Sequence, residues 1–132
     1  MDQYAYAAAK AGAREEYWKN YDYGTHASTA SKPKEIAYWR KHPNLQGWME
    51  NLWRRRGGGG QFFNCVELEL TREDLEALER DILAEKVSRL DTVGFFFGEP
   101  SDDYYRDQDL EFIREAKADL FMGLKVFYNS SW

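Results

Sequence analysis

The sequence predicts one α+β domain, a small three-stranded sheet packed against helices, and three observations carry that expectation. A period-2 apolar pattern runs from Phe62 to Leu70, two later segments show helical spacing, and a short alternating segment closes the chain at Leu124 to Tyr128. The chain has 132 residues, enough for one hydrophobic core. It is 43% hydrophobic with five Trp, nine Tyr and eight Phe, which excludes the disordered and low-complexity classes.

Taken in order, the Ala-rich start predicts a helix over about Tyr4 to Tyr21, followed by a Gly/Ser/Thr/Ala loop through Ser31. Residues 1–31 therefore read as an N-terminal helical extension and residues 32–132 as the α+β domain. Pro33 suits a first helical position, so Pro33 to His42 reads as a short helix that Pro43 kinks or ends. Leu45, Trp48, Met49, Leu52 and Trp53 form an apolar helical stripe, with Arg54, Arg55 and Arg56 near the carbonyl end where cations are favoured. Gly57 to Gly60 reads as a flexible loop.

Beyond that loop, Phe62, Asn64, Val66, Leu68 and Leu70 share one face of a strand while Glu67 and Glu69 face away. Thr71 is a natural N-cap, with Glu73 and Asp74 in the first turn and Leu75, Leu78, Ile82 and Leu83 as the stripe of a helix ending near Lys86 to Leu90. Gly94-Phe95-Phe96-Phe97-Gly98 predicts a second strand, and Glu99 to Asp103 a turn into another helix carrying Leu110, Ile113 and Leu120. Gly123 sits where a left-handed C-cap belongs, ahead of the third strand. The predicted order is β-α-β-α-β.

Charge divides the chain unevenly. Residues 1–60 carry 10 Lys+Arg against 6 Asp+Glu, and residues 61–132 carry 8 against 17, giving net +4 and −9. A total of −5 argues against general nucleic-acid binding driven by phosphate neutralisation. No stretch is apolar enough for a membrane span and no basic n-region precedes the Ala-rich start, so the expectation is a cytoplasmic protein with no membrane partner.

Familiar catalytic signatures are missing from the sequence: no phosphate-binding loop, dinucleotide fingerprint, nucleophile elbow or zinc-protease helix motif is present. The lone Cys65 excludes an intramolecular disulfide and a multi-cysteine zinc site, and reads as a small strand hydrophobe. His26 and His42 read as a loop residue and a helix-end residue. Glu99, Asp102, Asp103, Asp107, Asp109 and Glu111 form an acidic segment opposed only by Arg106. Helix capping and a solvated face account for it; the alternative is a pair of carboxylates holding a divalent cation or doing acid-base work.

The most suggestive cluster combines rings with cations. Tyr38-Trp39-Arg40-Lys41 offers a stacking face beside groups that grip phosphate, while Trp48 and Trp53 belong to the core stripe. Tyr104 and Tyr105 point about 100° apart on a helix, which favours an accessible hydroxyl. Trp39, Arg40, Lys41, Tyr104 and Tyr105 are the candidate ligand- or partner-binding residues, and no catalytic residue, metal ligand or cofactor is assigned.

Tyr38-Trp39-Arg40-Lys41, Leu45 with Trp48, Gly94-Phe95-Phe96-Phe97-Gly98, Asp103-Tyr104-Tyr105 and the closing Tyr128-Asn129-Ser130-Ser131-Trp132 occur in an order that resembles a family of small bacteriophage and prophage proteins, over about residues 34–132. The resemblance implies a non-catalytic binding protein, a host-defence antagonist that binds a host protein or sequesters a nucleotide-like small molecule. The alternative reading is a metal-dependent enzyme acting on a nucleotide or phosphoester.

Overall fold

The computed structural model describes residues 2–40, 42–58, 63–84 and 100–131. The protein is mixed α and β, with four strands in one antiparallel sheet rather than the three expected, and that sheet begins with the residues assigned to a helix. Strand β1 runs Asp2–Ala8 and lies inside the sheet, between β4 (Lys34–Arg40) and β6 (Lys125–Ser131), with β5 (Leu68–Leu70) on the far edge. Helix α1 is only Ala13–Lys19, and the short pair β2 (Tyr21–Asp22) and β3 (Ala27–Ser28) completes an excursion between β1 and β4.

Two corrections share one cause. The segments 4–21 and 33–42 carry good helix formers, yet each side of β1 finds a strand: Tyr4 pairs with Tyr38 of β4 and with Asn129 of β6. Pairing with distant partners outweighs an intrinsic preference of a few tenths of a kcal/mol per residue. Pro33 ends up just ahead of a strand, and Pro43 occupies the first turn of α2 (Pro43–Arg55) instead of breaking an earlier helix. The expected strand from Phe62 shortens to Leu68–Leu70, because Cys65 takes a left-handed φ of 57°.

Other expectations are met. Helix α3 (Arg72–Leu83) is capped by Thr71, whose hydroxyl accepts from the Asp74 amide while Asp74 returns a bond to the Thr71 amide. Helix α4 spans Pro100–Phe121, and Gly123 takes the left-handed φ of 90°. The phenylalanine segment 94–98 and the expected helix end at 86–90 lie outside the described residues, as do Gly59 and Gly60.

Alternation along β1 separates two layers. Gln3, Ala5 and Ala7 face the main core with Trp39, Val126 and Tyr128, under a helical layer that contributes Leu45, Met49, Leu75, Leu78, Phe112 and Ile113. Tyr4, Tyr6 and Ala8 point to the opposite face, where Phe127 and Ala13 meet them. No described helix is long and apolar enough to cross a membrane.

Candidate functional site

The face away from the helical layer holds a cavity, and its construction starts at Gly12. This residue turns the chain with φ 77°, a conformation glycine adopts without Cβ strain, and its amide donates to Glu67 Oε1 at 2.8 Å. The Tyr6 hydroxyl donates to the other oxygen of the same carboxylate at 2.5 Å. Burial, then the bond to Glu67 and its charge, push the Tyr6 hydroxyl far above the usual tyrosine range, so it stays a donor. Glu67 thereby anchors the start of α1 over β1.

Helix α1 then lays Arg14 across two rings. Its guanidinium carbon stands 5.0 Å from the Tyr4 ring centroid and 5.8 Å from that of Tyr6, within cation–π range. Tyr17 and Trp18 follow, and the returning chain is tied to them by Ser28, whose hydroxyl donates to the Tyr17 carbonyl at 2.7 Å. Lys32, Pro33 and Glu35 close the rim as the chain enters β4. The result is a cavity of about 260 Å³ walled by Tyr4, Tyr6, Tyr17 and Trp18, with Arg14, Lys32 and Glu35 as its charged groups.

Among the described residues neither Arg14 nor Lys32 makes an ion pair. A cage of rings alone suits a cationic ligand, but here Arg14 already occupies the position over the ring faces. The outer guanidinium donors and the Lys32 ammonium favour an anion, and Glu35 supplies an acceptor for hydroxyl or amino groups.

The residues predicted from sequence assemble elsewhere, at the junction of β4, α2 and α4. The Trp39 indole, expected to offer a stacking face, is fully buried: it packs edge-on against Phe112, and its Nε1 donates to Asp109 Oδ1 at 2.8 Å. Asp109 Oδ2 lies 2.7 Å from His42 Nε2. The His42 ring stacks on Tyr105, with centroids 4.7 Å apart, and the Tyr105 hydroxyl donates to the Arg40 carbonyl at 2.8 Å. Arg40 is exposed and supplies only its carbonyl, Tyr105 is half-buried against His42, and Trp39 is linked to His42 through Asp109. Lys41 and the Tyr104 side chain lie outside the described residues.

That junction continues into the core as a polar chain. The Gln3 side chain brackets the backbone of His42, donating from Nε2 to its carbonyl at 3.0 Å and accepting from its amide at 2.6 Å. Gln3 also donates to the Tyr128 hydroxyl at 2.8 Å, and Tyr128 donates to Gln46 Oε1. Complete burial is the main reason the Tyr128 hydroxyl is held far above the ordinary tyrosine range. The network joins β1, β4, α2, α4 and β6, and His42 and Asp109 at its centre are only 1% and 2% exposed. Only Nδ1 of His42 is without a hydrogen-bond partner in it, among the described residues.

Of the acidic segment, Glu99 and the side chains of Asp102 and Asp103 lie outside the described residues, and the others point different ways. Asp109 turns into the core and Asp107 faces solvent, while the Glu111 carboxylate pairs with Arg114 on its own helix. Among the described residues no group of three or more His, Cys, Asp or Glu side chains converges as a metal site would require. Cys65, expected as a small strand hydrophobe, is exposed and lies outside the strands.

Sequence reasoning missed the cavity because its walls lie in residues assigned to a helix and a loop. The available signal was the alternation Gln3-Tyr4-Ala5-Tyr6-Ala7, which places both tyrosines on one face of a strand. No family model, curated protein or solved structure matches the chain, so the chemistry of the cavity has to be read from its own residues.

Proposed function

We propose that the protein binds a nucleotide-like small molecule in the cavity between α1 and the sheet. The observation that carries this reading is a cavity whose two cations, Arg14 and Lys32, make no ion pair among the described residues and share its wall with four aromatic rings. Tyr17 and Trp18, which Arg14 does not cover, offer rings to a planar base, a guanidinium fork and an ammonium donate to phosphate oxygens, and Glu35 accepts from ribose hydroxyls or a base amino group. A cavity of about 260 Å³ suits one nucleotide unit, falling a little below the roughly 300 Å³ at which pockets for drug-sized ligands begin.

The mode of action that accompanies the resemblance to small phage proteins is sequestration: a host nucleotide held by a non-catalytic binder that antagonises host defence. Binding without turnover needs only the stacking and charge groups found on this face.

Isothermal titration calorimetry with a panel of nucleoside monophosphates tests the reading. We expect at least one to bind, with Arg14→Ala and Lys32→Ala each weakening it about tenfold, the scale of one charge-assisted hydrogen bond. Circular dichroism of both variants should match the parent protein. Absence of heat across the whole panel, or binding indifferent to both substitutions, overturns the proposal.

A further inference from the structure

Rings continue beyond the cavity. Trp18, on its wall, stands 5.1 Å from Tyr21 by ring centroids, and Tyr21 stands 4.9 Å from Tyr23 with the planes 72° apart. Trp18 is 49% exposed and Tyr23 74%, so both ends of the row are open to solvent and the end away from the cavity the more so. Tyr21 is held between Tyr17, Trp18 and Tyr23, and the exposed surface of the row belongs mainly to Trp18 and Tyr23.

Both signs of charge lie beside the row. Lys19 lies between Trp18 and Tyr21 in the chain, is exposed, and makes no ion pair among the described residues. Asp22 is turned into its own loop, where its Oδ1 accepts from the Gly24 amide at 2.8 Å, and Glu16 on α1 pairs with Lys10 at 2.9 Å. Lys19 is thereby a cation beside the exposed rings, with Arg14 and Lys32 lining the cavity.

We infer that the ligand is a short single-stranded oligonucleotide whose terminal nucleotide enters the cavity while the following bases stack outward on Trp18, Tyr21 and Tyr23. The inference rests on the nucleotide reading of the cavity and extends it. The cavity has room for one unit, so further bases must lie on the rings outside. Stacking on aromatic faces tolerates any base and needs few phosphate contacts, so it is compatible with a chain of net charge −5.

Calorimetry with thymidine 5′-monophosphate and with a single-stranded thymidine tetranucleotide, on the full chain, separates the two levels of argument. We expect the tetranucleotide to bind at least tenfold tighter. Tyr23→Ala should remove most of that gain while leaving affinity for the monophosphate unchanged, since Tyr23 does not line the cavity. If the monophosphate binds and the tetranucleotide binds no tighter, or Tyr23→Ala keeps the gain, the oligonucleotide inference fails and the nucleotide reading stands. If neither binds, both fall.

Discussion

On the helix-covered face of the sheet, Gln3, His42, Gln46, Asp109 and Tyr128 are linked by hydrogen bonds, whereas on the face under α1 Arg14 lies over two rings and neither it nor Lys32 makes an ion pair among the described residues. The difference follows from water. A polar group removed from solvent is costly unless bonded, so the buried face closes its polar groups on each other and becomes rigid. A half-exposed cation retains its hydration and costs little unpaired, which leaves its donors free to exchange water for a ligand. Sequestered polarity holds this fold together, and solvent-accessible polarity is what it can offer to another molecule.

Alkaline titration should produce the largest effect and acts on both faces. Tyr6 and Tyr128 hold their protons in the folded chain well above the value of about 10 at which the unfolded chain loses them. Their contribution is therefore full below about pH 10 and is lost as pH climbs beyond it, with a slope of about 1.4 kcal/mol per pH unit for each. Urea unfolding at pH values from 8 to 12 should show that fall, and Tyr6→Phe or Tyr128→Phe should each flatten it. A stability independent of pH across this range contradicts the burial of both hydroxyls.

Asp109→Ala comes next and strikes one face only. It strips the Trp39 indole and His42 of their shared acceptor and should cost about 3–5 kcal/mol in urea unfolding, as for a broken buried pair. Trp39→Phe removes one bond to the same carboxylate and should cost about 1–3 kcal/mol. Lys32→Ala, on the opposite face, should change stability by less than about 0.5 kcal/mol. A Lys32→Ala cost as large as that of Trp39→Phe would dissolve the distinction between the two faces.

Elements set by neighbours in sequence were legible: the Thr71 cap, the α2 stripe and the left-handed Gly123 each depend on residues within a few positions. Strands β1 and β4 were not, because each is made by the other. Trp39 faces Gln3 across 36 positions, and an Ala-rich segment or a Pro-led one reads as helix until that partner is known. The candidate site divides the same way. Trp39, Arg40 and Tyr105 were singled out for their chemistry and do come together, but the group that unites them, Asp109 with His42, spans 67 positions. Burial of the Trp39 ring depends on Phe112 and Tyr128, which no local pattern connects to it.

The pairing of β1 with β6 places Asp2 opposite Ser131 and makes the first strand and the last strand the two middle members of the sheet. During synthesis, β1 must therefore wait for β6, which follows it by more than a hundred residues, before its second edge is paired. Such non-local closure carries a large loop entropy and a high contact order, which puts folding on the slow side for a domain of this size. Until residues 125–131 arrive, Tyr4 and Tyr6 lack half of their floor. The ring-lined face is therefore complete only once β6 has joined the sheet.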